Sequence, residues 1–233
     1  MWSGPRTLST ALMYSFGNRP DAFVVDEPLY GYYLAATAID HPGREEIMAS
    51  MPTGWREVVD QLTAGQPPPG TAIYYGKHMT HHLLPEVDRS ALASLRHAFL
   101  IRDPRRLLAS YAKVRHTPTL EDLGLPQQSE IFRAFGGPVI DAADLAARPE
   151  PVLRALCEAL GIGFHQAMLA WPAGPKPYDG VWGRYWYERV WASTGFTASR
   201  EPGSGPGLPA ALEPLAARCQ PFYEELAAHR LVG

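Results

Sequence analysis

Short apolar segments alternate with longer amphipathic segments along this chain of 233 residues. The apolar segments are bounded by breakers or charged residues, which is typical of buried strands in a parallel sheet. They lie at 22–26, 71–75, 97–101 and 138–142. Apolar positions recur at helical spacing in 7–18, 44–64 (interrupted at 52–54), 104–114 and 149–160. This alternation predicts an α/β fold with a central parallel sheet flanked by helices on both faces.

The amino-acid composition changes at about residue 171, where Trp, Tyr, Gly and Pro become frequent. Segment 200–209 reads as a linker or exposed loop, and the apolar positions from Leu208 to Leu226 then recur at helical spacing. We therefore predict an α/β domain over 1–170. An aromatic-rich C-terminal cap and helix over 171–233 completes the same domain.

Composition narrows the class of protein. Apolar residues make up 46% of the chain, which is enough for a core, and the formal net charge of −3 gives no reason to expect nucleic-acid or membrane-surface binding. No apolar stretch approaches the ~20 residues of a membrane span, and no secretory signal is visible. The two cysteines, Cys157 and Cys219, read as reduced thiols, so we expect a cytoplasmic protein. The aromatic C-terminal segment could serve a homodimer interface.

Residues 4–10, Gly-Pro-Arg-Thr-Leu-Ser-Thr, run from a turn directly into a helical pattern. The Lys-Ser/Thr pair of the common nucleotide-binding loop is absent. Free N–H groups at a helix start, together with Arg6 and the hydroxyls of Thr7, Ser9 and Thr10, favour binding of a phosphate or sulfate group. The alternative is an ordinary capped helix, because Ser and Thr are common there in any case.

Arg102 follows the apolar segment 97–101, and Ser110 lies two turns into the next helix. Ligands of open α/β sheets bind beyond the carboxyl ends of the strands, so both side chains can face one crevice. Taken separately, Arg102 could form a surface ion pair and Ser110 could face solvent. Together with the opening loop they suggest a ligand with phosphates at both ends.

Potential acid and base groups also follow predicted strands. Glu27 comes after 22–26, and Lys77 and His78 come after 71–75. Such side chains at neighbouring strand ends are expected around an active site. We interpret His81 and His82 as loop or packing residues.

In combination, these stretches resemble the sulfotransferase superfamily, whose donor is 3′-phosphoadenosine-5′-phosphosulfate (PAPS). Residues 5–10 align with the family's Pro-Lys-Ser-Gly-Thr-Thr loop, and Arg102 and Ser110 match its Arg and Ser in type and spacing. Segment 140–162 shares the shape of a later family element. The chain is more closely similar to bacterial sulfotransferase-like proteins with "SGPRxxST" and "DEPLY" segments, whose acceptors are undefined. Some of these carry aminotransferase labels, for which the sequence gives no support.

The resemblance implies a P-loop-like three-layer sandwich and a PAPS-dependent enzyme that needs no metal. It assigns Gly4, Pro5, Arg6, Thr7, Ser9 and Thr10 to the 5′-phosphosulfate. It assigns Arg102 and Ser110 to the 3′-phosphate, with Arg184 in the late segment 180–186 as a further candidate.

For the catalytic residues, the resemblance offers Arg6, Lys77 and two possible bases, Glu27 and His78, of which we favour Glu27. Lys77 would hold the sulfonate or pair with Glu27. The acceptor is a hydroxyl or amine of a small molecule or carbohydrate. Aromatic residues at 30–33 and 182–187 could line its pocket, stack on the adenine, or simply pack.

Three departures from the family pattern stand out. Arg6 replaces a lysine, and Leu8 replaces a glycine, which makes a positive φ costly there. Met1 precedes Gly4 by three residues, so we expect either that the central strand is missing or that the natural start lies upstream. These departures keep two alternatives open: a P-loop nucleotide-dependent kinase or phosphotransferase, and a non-catalytic nucleotide-binding relative.

Overall fold

The structure is a computed structural model that describes residues 1–112, 118–197 and 207–232. Its strands are β1 (Trp2–Ser3), β2 (Ala22–Asp26), β3 (Ile73–Met79), β4 (Phe99–Ile101) and β5 (Val139–Asp141). Its helices in the first half are α1 (Ser9–Gly17), α2 (Tyr30–Thr37), α3 (Arg44–Ser50), α4 (Trp55–Ala64) and α5 (Pro104–Tyr111). The second half holds α6 (Leu120–Leu123), α7 (Leu125–Phe135), α8 (Ala142–Ala147), α9 (Pro149–Ala159), α10 (Gly183–Trp186), α11 (Glu188–Trp191) and α12 (Glu213–Ala227).

The strands form one parallel sheet in the order β2-β3-β1-β4-β5, with helices on both faces. This is the predicted α/β sandwich. Because all five strands run in the same direction, their carboxyl ends open onto one edge of the sheet. The residues that follow β1, β2 and β4 in sequence therefore meet at that edge.

The central strand is present, contrary to the expectation that the chain leaves no room for it. Trp2 and Ser3 suffice: Trp2 is in register with His78 on one side and Phe99 on the other. Both residues are buried, and the strand leads directly into Gly4. Two residues are enough here because neighbours on both sides supply the hydrogen bonds of the ladder.

Strand β3 extends to Met79, so Lys77 and His78 lie within it rather than after it. Successive side chains of a strand point to opposite faces. Lys77 and His78 therefore cannot share one site, a point on which the sequence interpretation was incomplete. The first helix begins at Ser9, not residue 7, because Leu8 adopts a left-handed conformation. Residues 113–114 of the predicted helix 104–114 and 200–206 of the predicted loop lie outside the described residues.

The aromatic segment after residue 170 packs on the same core as the sheet. Trp171, Trp182 and Tyr187 are buried in one cluster with Leu12 and Phe16 of α1. Helix α12 closes the other side, packing on α5, α7 and the edge strand β5. No helix of the described residues has both the length and the apolar character needed to cross a membrane.

Candidate active site

A cleft of about 430 Å³ opens at the carboxyl edge of the sheet. The turn that follows β1 forms its floor, and the strand ends of β2, β3 and β4 supply one wall. Residues 186–197 of the aromatic segment supply the opposite wall. The predicted site residues that line it are Pro5, Arg6, Thr7, Ser9, Thr10, Glu27, Lys77, Arg102 and Ser110.

The turn after β1 is held in a strained and closely packed conformation. Gly4 is required because a Cβ there would lie 2.6 Å from the backbone oxygen of Leu123. The Thr7 hydroxyl donates to the Gly4 carbonyl at 2.9 Å. Leu8, at φ 70°, is the N-cap of α1, and its side chain makes no capping hydrogen bond. The first N–H groups of α1 therefore face the cleft without a cap from that position.

Non-glycine residues with positive φ concentrate at this cleft. Arg6 (φ 62°), Leu8 (φ 70°) and Glu27 (φ 41°) all line it. Each costs on the order of 1–2 kcal/mol relative to an ordinary conformation. Leu8 therefore has a positive φ, although its side chain makes that conformation costly. The backbone at this position adopts a conformation that glycine would adopt without strain.

Three guanidinium groups converge on the floor of the cleft. Arg6 Nε donates to Ser110 Oγ at 3.3 Å, and Arg102 donates to the carbonyl of Arg6. Burial lowers the pKa of Arg6, and the charge of Arg189 lowers it further. Burial and then Arg6 lower the pKa of Arg102. In the described ranges none of the three forms an ion pair with a carboxylate, so this arrangement favours a ligand with several negative charges.

Lys77 is fully buried at the other end of the cleft. Its ammonium lies 2.9 Å from Asp26 Oδ1, 2.5 Å from Glu27 Oε1 and 2.7 Å from the Tyr187 hydroxyl. These three partners match the three hydrogens of the ammonium. Burial alone would lower the pKa of Lys77, but the two carboxylates outweigh burial and raise it. Lys77 is therefore charged and committed to its neighbours.

Two carboxylates share this one ammonium, which leaves an excess of negative charge in a buried place. Burial, together with the charge of Asp26, raises the pKa of Glu27 above its ordinary value, against the opposing effect of Lys77. Oε1 of Glu27 is occupied by Lys77, whereas Oε2 lies 3.8 Å from His82 Nδ1. A carboxylate with raised pKa and one oxygen toward a cleft is suited to take up a proton.

The other sequence-predicted residues lie elsewhere. His78 is absent from the cleft lining, and its ring stacks on Trp2 at 4.4 Å between centroids. Arg184 is exposed, bonds to Glu46 and Tyr185, and does not reach the cleft. His78 lies away from the cleft because side chains alternate between the two faces of β3 and its neighbour Lys77 is on the side of the cleft.

Of the aromatic candidates, Tyr30, Trp186 and Tyr187 line the cleft. Tyr32 and Trp182 are buried in the core, and Tyr185 is exposed.

His81, His82 and Arg189 also line the cleft, although none was predicted as a site residue and the two histidines were interpreted as loop or packing residues. The histidines follow β3 in a short turn, Thr80–His82, which brings them back toward Glu27. Arg189 lies on α11, two residues beyond the aromatic run at 182–187. The course of α10 and α11 places Arg189 at the cleft and Arg184 away from it. No sequence pattern predicted this difference.

No group of three or more metal-ligating side chains occurs in the parts of the chain that the structure describes. Fold and site together define an α/β protein whose cleft is lined by three arginines and a buried carboxylate. A sulfotransferase domain model matches residues 1–230. The chain therefore belongs to the sulfotransferase-domain family.

Solved structures share the fold at low sequence identity. The sulfotransferase domain from the curacin biosynthetic pathway covers the whole chain at 13% identity with a TM-score of 0.55, over 97% of its own length. The domain from the Synechococcus PCC 7002 olefin synthase covers 99% of the chain at 15% identity with a TM-score of 0.56, over 94% of its own length. A sulfotransferase from Alicyclobacillus acidocaldarius gives a TM-score of 0.54 at 15% identity, over 100% of the chain and 95% of its own length.

Two curated plant proteins are much closer in sequence. Branched-chain-amino-acid aminotransferase-like proteins 1 and 2 of Arabidopsis thaliana are 40% and 37% identical to the chain, each over 98% of it. The chain spans 41% of the length of either relative. The similarity thus concerns one part of those proteins, and their names do not describe the chemistry of this cleft.

Proposed function

We propose that this protein is a PAPS-dependent sulfotransferase that moves a sulfuryl group to a hydroxyl or amine of a small molecule or carbohydrate. The observation that carries the proposal is that Arg6, Arg102, Arg189 and Ser110 line one cleft, beside a helix start that has no side-chain cap. A donor with a phosphosulfate at one end and a phosphate at the other fits this cluster in charge and in number of anionic groups.

Bound PAPS would supply the sulfuryl group. Arg6, the N–H groups at the start of α1 and the hydroxyls of Ser9 and Thr10 would hold its 5′-phosphosulfate. Arg102 and Ser110 would hold the 3′-phosphate. Arg189 reaches the same floor from the opposite wall, and its guanidinium adds charge where the anionic groups would lie. Transfer of such a group depends on positioning and on stabilisation of charge, both of which these residues can provide.

Glu27 is the proposed general base. It lines the cleft, burial and the charge of Asp26 raise its pKa, and Oε2 is not held by Lys77. His78 has none of the required access, because its ring packs on Trp2. With its three hydrogens in use, Lys77 holds Glu27 in place rather than the sulfonate.

The test is conversion of PAPS to 3′-phosphoadenosine-5′-phosphate (PAP) in the presence of panels of phenols, alcohols, monosaccharides and amines. We expect sulfated product with at least one panel, and a loss of about 10²- to 10⁴-fold in kcat for Glu27→Gln. Glu45→Gln, an exposed carboxylate on α3, is the matched control. PAP binding without turnover of any panel would favour a non-catalytic binding protein and contradict the enzymatic proposal.

A further inference from the structure

His82 lies beside Oε2 of Glu27, the carboxylate oxygen that Lys77 does not hold. Its Nδ1 is buried and, among the described residues, has no hydrogen-bond partner. The nearest carboxylate oxygen is Glu27 Oε2, at 3.8 Å. A buried polar atom without a partner is costly, so its place beside the cleft calls for an explanation.

The orientation of the His82 ring is fixed by its neighbours. Its face stacks on Tyr30 at 4.6 Å between centroids with an interplanar angle of 9°, and on Tyr33 at 4.7 Å. The ring can therefore turn little, and Nδ1 stays directed toward Glu27. The titratable or charged groups around the pair are Asp26, Tyr30, Tyr33, His41, Lys77, His78, His81 and Tyr187.

The protonation state of His82 suits a hydrogen-bond acceptor. Burial, and then the charges of His81, His41 and Lys77, lowers its pKa well below the ordinary value. The imidazole is thus neutral near pH 7, with one ring nitrogen holding a lone pair. A rotation of the Glu27 carboxyl group that moves Oε2 about 1 Å toward His82 Nδ1 would give an O–H···N hydrogen bond of ordinary length.

We propose that His82 is a positioning residue for Glu27: Nδ1 accepts a hydrogen bond from Oε2 when the Glu27 carboxyl group is protonated. The role in catalysis rests on the proposed function. In the transfer step, the acceptor O–H bond breaks and its proton goes to Oε2. The acceptor oxygen bonds to sulfur, and the bond from sulfur to the 5′-phosphate oxygen breaks with its electron pair on the phosphate. His82 then stabilises the protonated carboxyl group.

A hydrogen bond to the neutral form of an acid raises the affinity of that acid for a proton. His82 therefore makes Glu27 a stronger base, independently of any donor or acceptor in the cleft. This consequence is measurable in the free protein.

The experiment is a pH titration of protein labelled with [δ-13C]glutamate, with Glu27→Gln used to assign the resonance. Phe at position 82 keeps the stacking on Tyr30 and Tyr33 but removes Nδ1. We expect His82→Phe to lower the titration midpoint of Glu27 by about one pH unit. His78→Phe is the matched control, because His78 is equally buried and stacked but lies outside the cleft, and it should leave the midpoint in place.

A second pair of variants keeps the proposal testable if the Phe variant does not fold. Asn places a polar atom near the position of Nδ1, whereas Gln places one near Nε2. We expect His82→Asn to keep the wild-type midpoint and His82→Gln to lower it. An unchanged midpoint in His82→Phe, or equal midpoints in the Asn and Gln variants, would overturn the proposal. Failure of the wild type to bind PAP would overturn the proposed function. The titration midpoints of the position-82 variants would still decide whether His82 acts on Glu27.

Discussion

The hydroxyl of Tyr187 lies 2.7 Å from the ammonium nitrogen of Lys77, and this contact joins the aromatic C-terminal segment to the end of β3. The same hydroxyl donates to Asp26 Oδ2 at 2.7 Å and accepts from Trp182 Nε1 at 3.1 Å. Burial, followed by Asp26 and Glu27, raises the pKa of Tyr187 well above its ordinary value, so the hydroxyl keeps its proton. The aromatic segment thus completes the charge network beneath the cleft.

Tyr187→Phe removes this hydroxyl and leaves one hydrogen of the buried Lys77 ammonium without its partner. We expect a loss of about 1–3 kcal/mol in the free energy of unfolding, measured by denaturant titration. Tyr185→Phe is the control, since that hydroxyl lies on the surface beside Arg184. Equal stability of the two variants would contradict the network described for Lys77.

Arg102→Ala tests the floor of the cleft. Arg102 is half-buried at the cleft and forms no ion pair with a carboxylate in the described part of the chain, so its removal should weaken binding of the donor more than it lowers stability. We expect the Kd for PAP to rise about 30-fold, equivalent to roughly 2 kcal/mol, by calorimetric titration. Arg184→Ala, which removes an exposed guanidinium paired with Glu46, should bind PAP like the wild type. A weaker effect of Arg102→Ala than of Arg184→Ala would refute the assignment.

Gly4→Ala tests the packing of the turn. The added methyl group would lie 2.6 Å from the Leu123 carbonyl oxygen, so the backbone must move. We expect a loss of about 1–3 kcal/mol in stability and a lower Tm. At Gly163, which is exposed and has open space around its Cβ position, alanine should change stability by no more than about 0.5 kcal/mol. A Gly4→Ala protein as stable as the Gly163→Ala protein would disprove the close approach.

The buried histidines predict a loss of stability in acid. Burial lowers the pKa of both His78 and His82 well below the ordinary 6.5. Below pH 6.5 the unfolded chain therefore binds protons that the folded chain does not, and stability falls as the pH falls. Each histidine contributes a slope of up to about 1.4 kcal/mol per pH unit. Denaturant titrations between pH 7.5 and 5.5 should show a shallower slope for His78→Phe, and an unchanged slope would contradict the burial of a neutral imidazole.

Local patterns in the sequence predicted four of the five strands and nine of the residues that line the cleft. The strand at 22–26 matches β2, and the helix at 149–160 ends one residue beyond α9. Glu27 and Arg102 line the cleft because they lie just beyond strand ends, and Ser110 faces it from the helix that follows β4. Their positions follow from the direction of the strands alone.

Other features depend on tertiary contacts that no local pattern encodes. A central strand of two residues is stable only between two neighbours, so Trp2 and Ser3 gave no strand signal of their own. The sequence did not show whether β3 ends at residue 75 or at residue 79. It therefore did not show that Lys77 and His78 point to opposite faces of the sheet. Arg189 reaches the cleft, and Arg184 does not, because two short helices in the aromatic segment turn them to different sides.

The measurement that most directly tests the account is calorimetric titration of the wild-type protein with PAP, compared with ATP. The proposed assignment of Arg6 to the 5′-phosphosulfate and of Arg102 and Ser110 to the 3′-phosphate predicts micromolar binding of PAP and weak binding of ATP, which lacks the 3′-phosphate. Absence of PAP binding, or ATP binding at least as tight as PAP binding, would contradict the assignment of this cleft to PAPS.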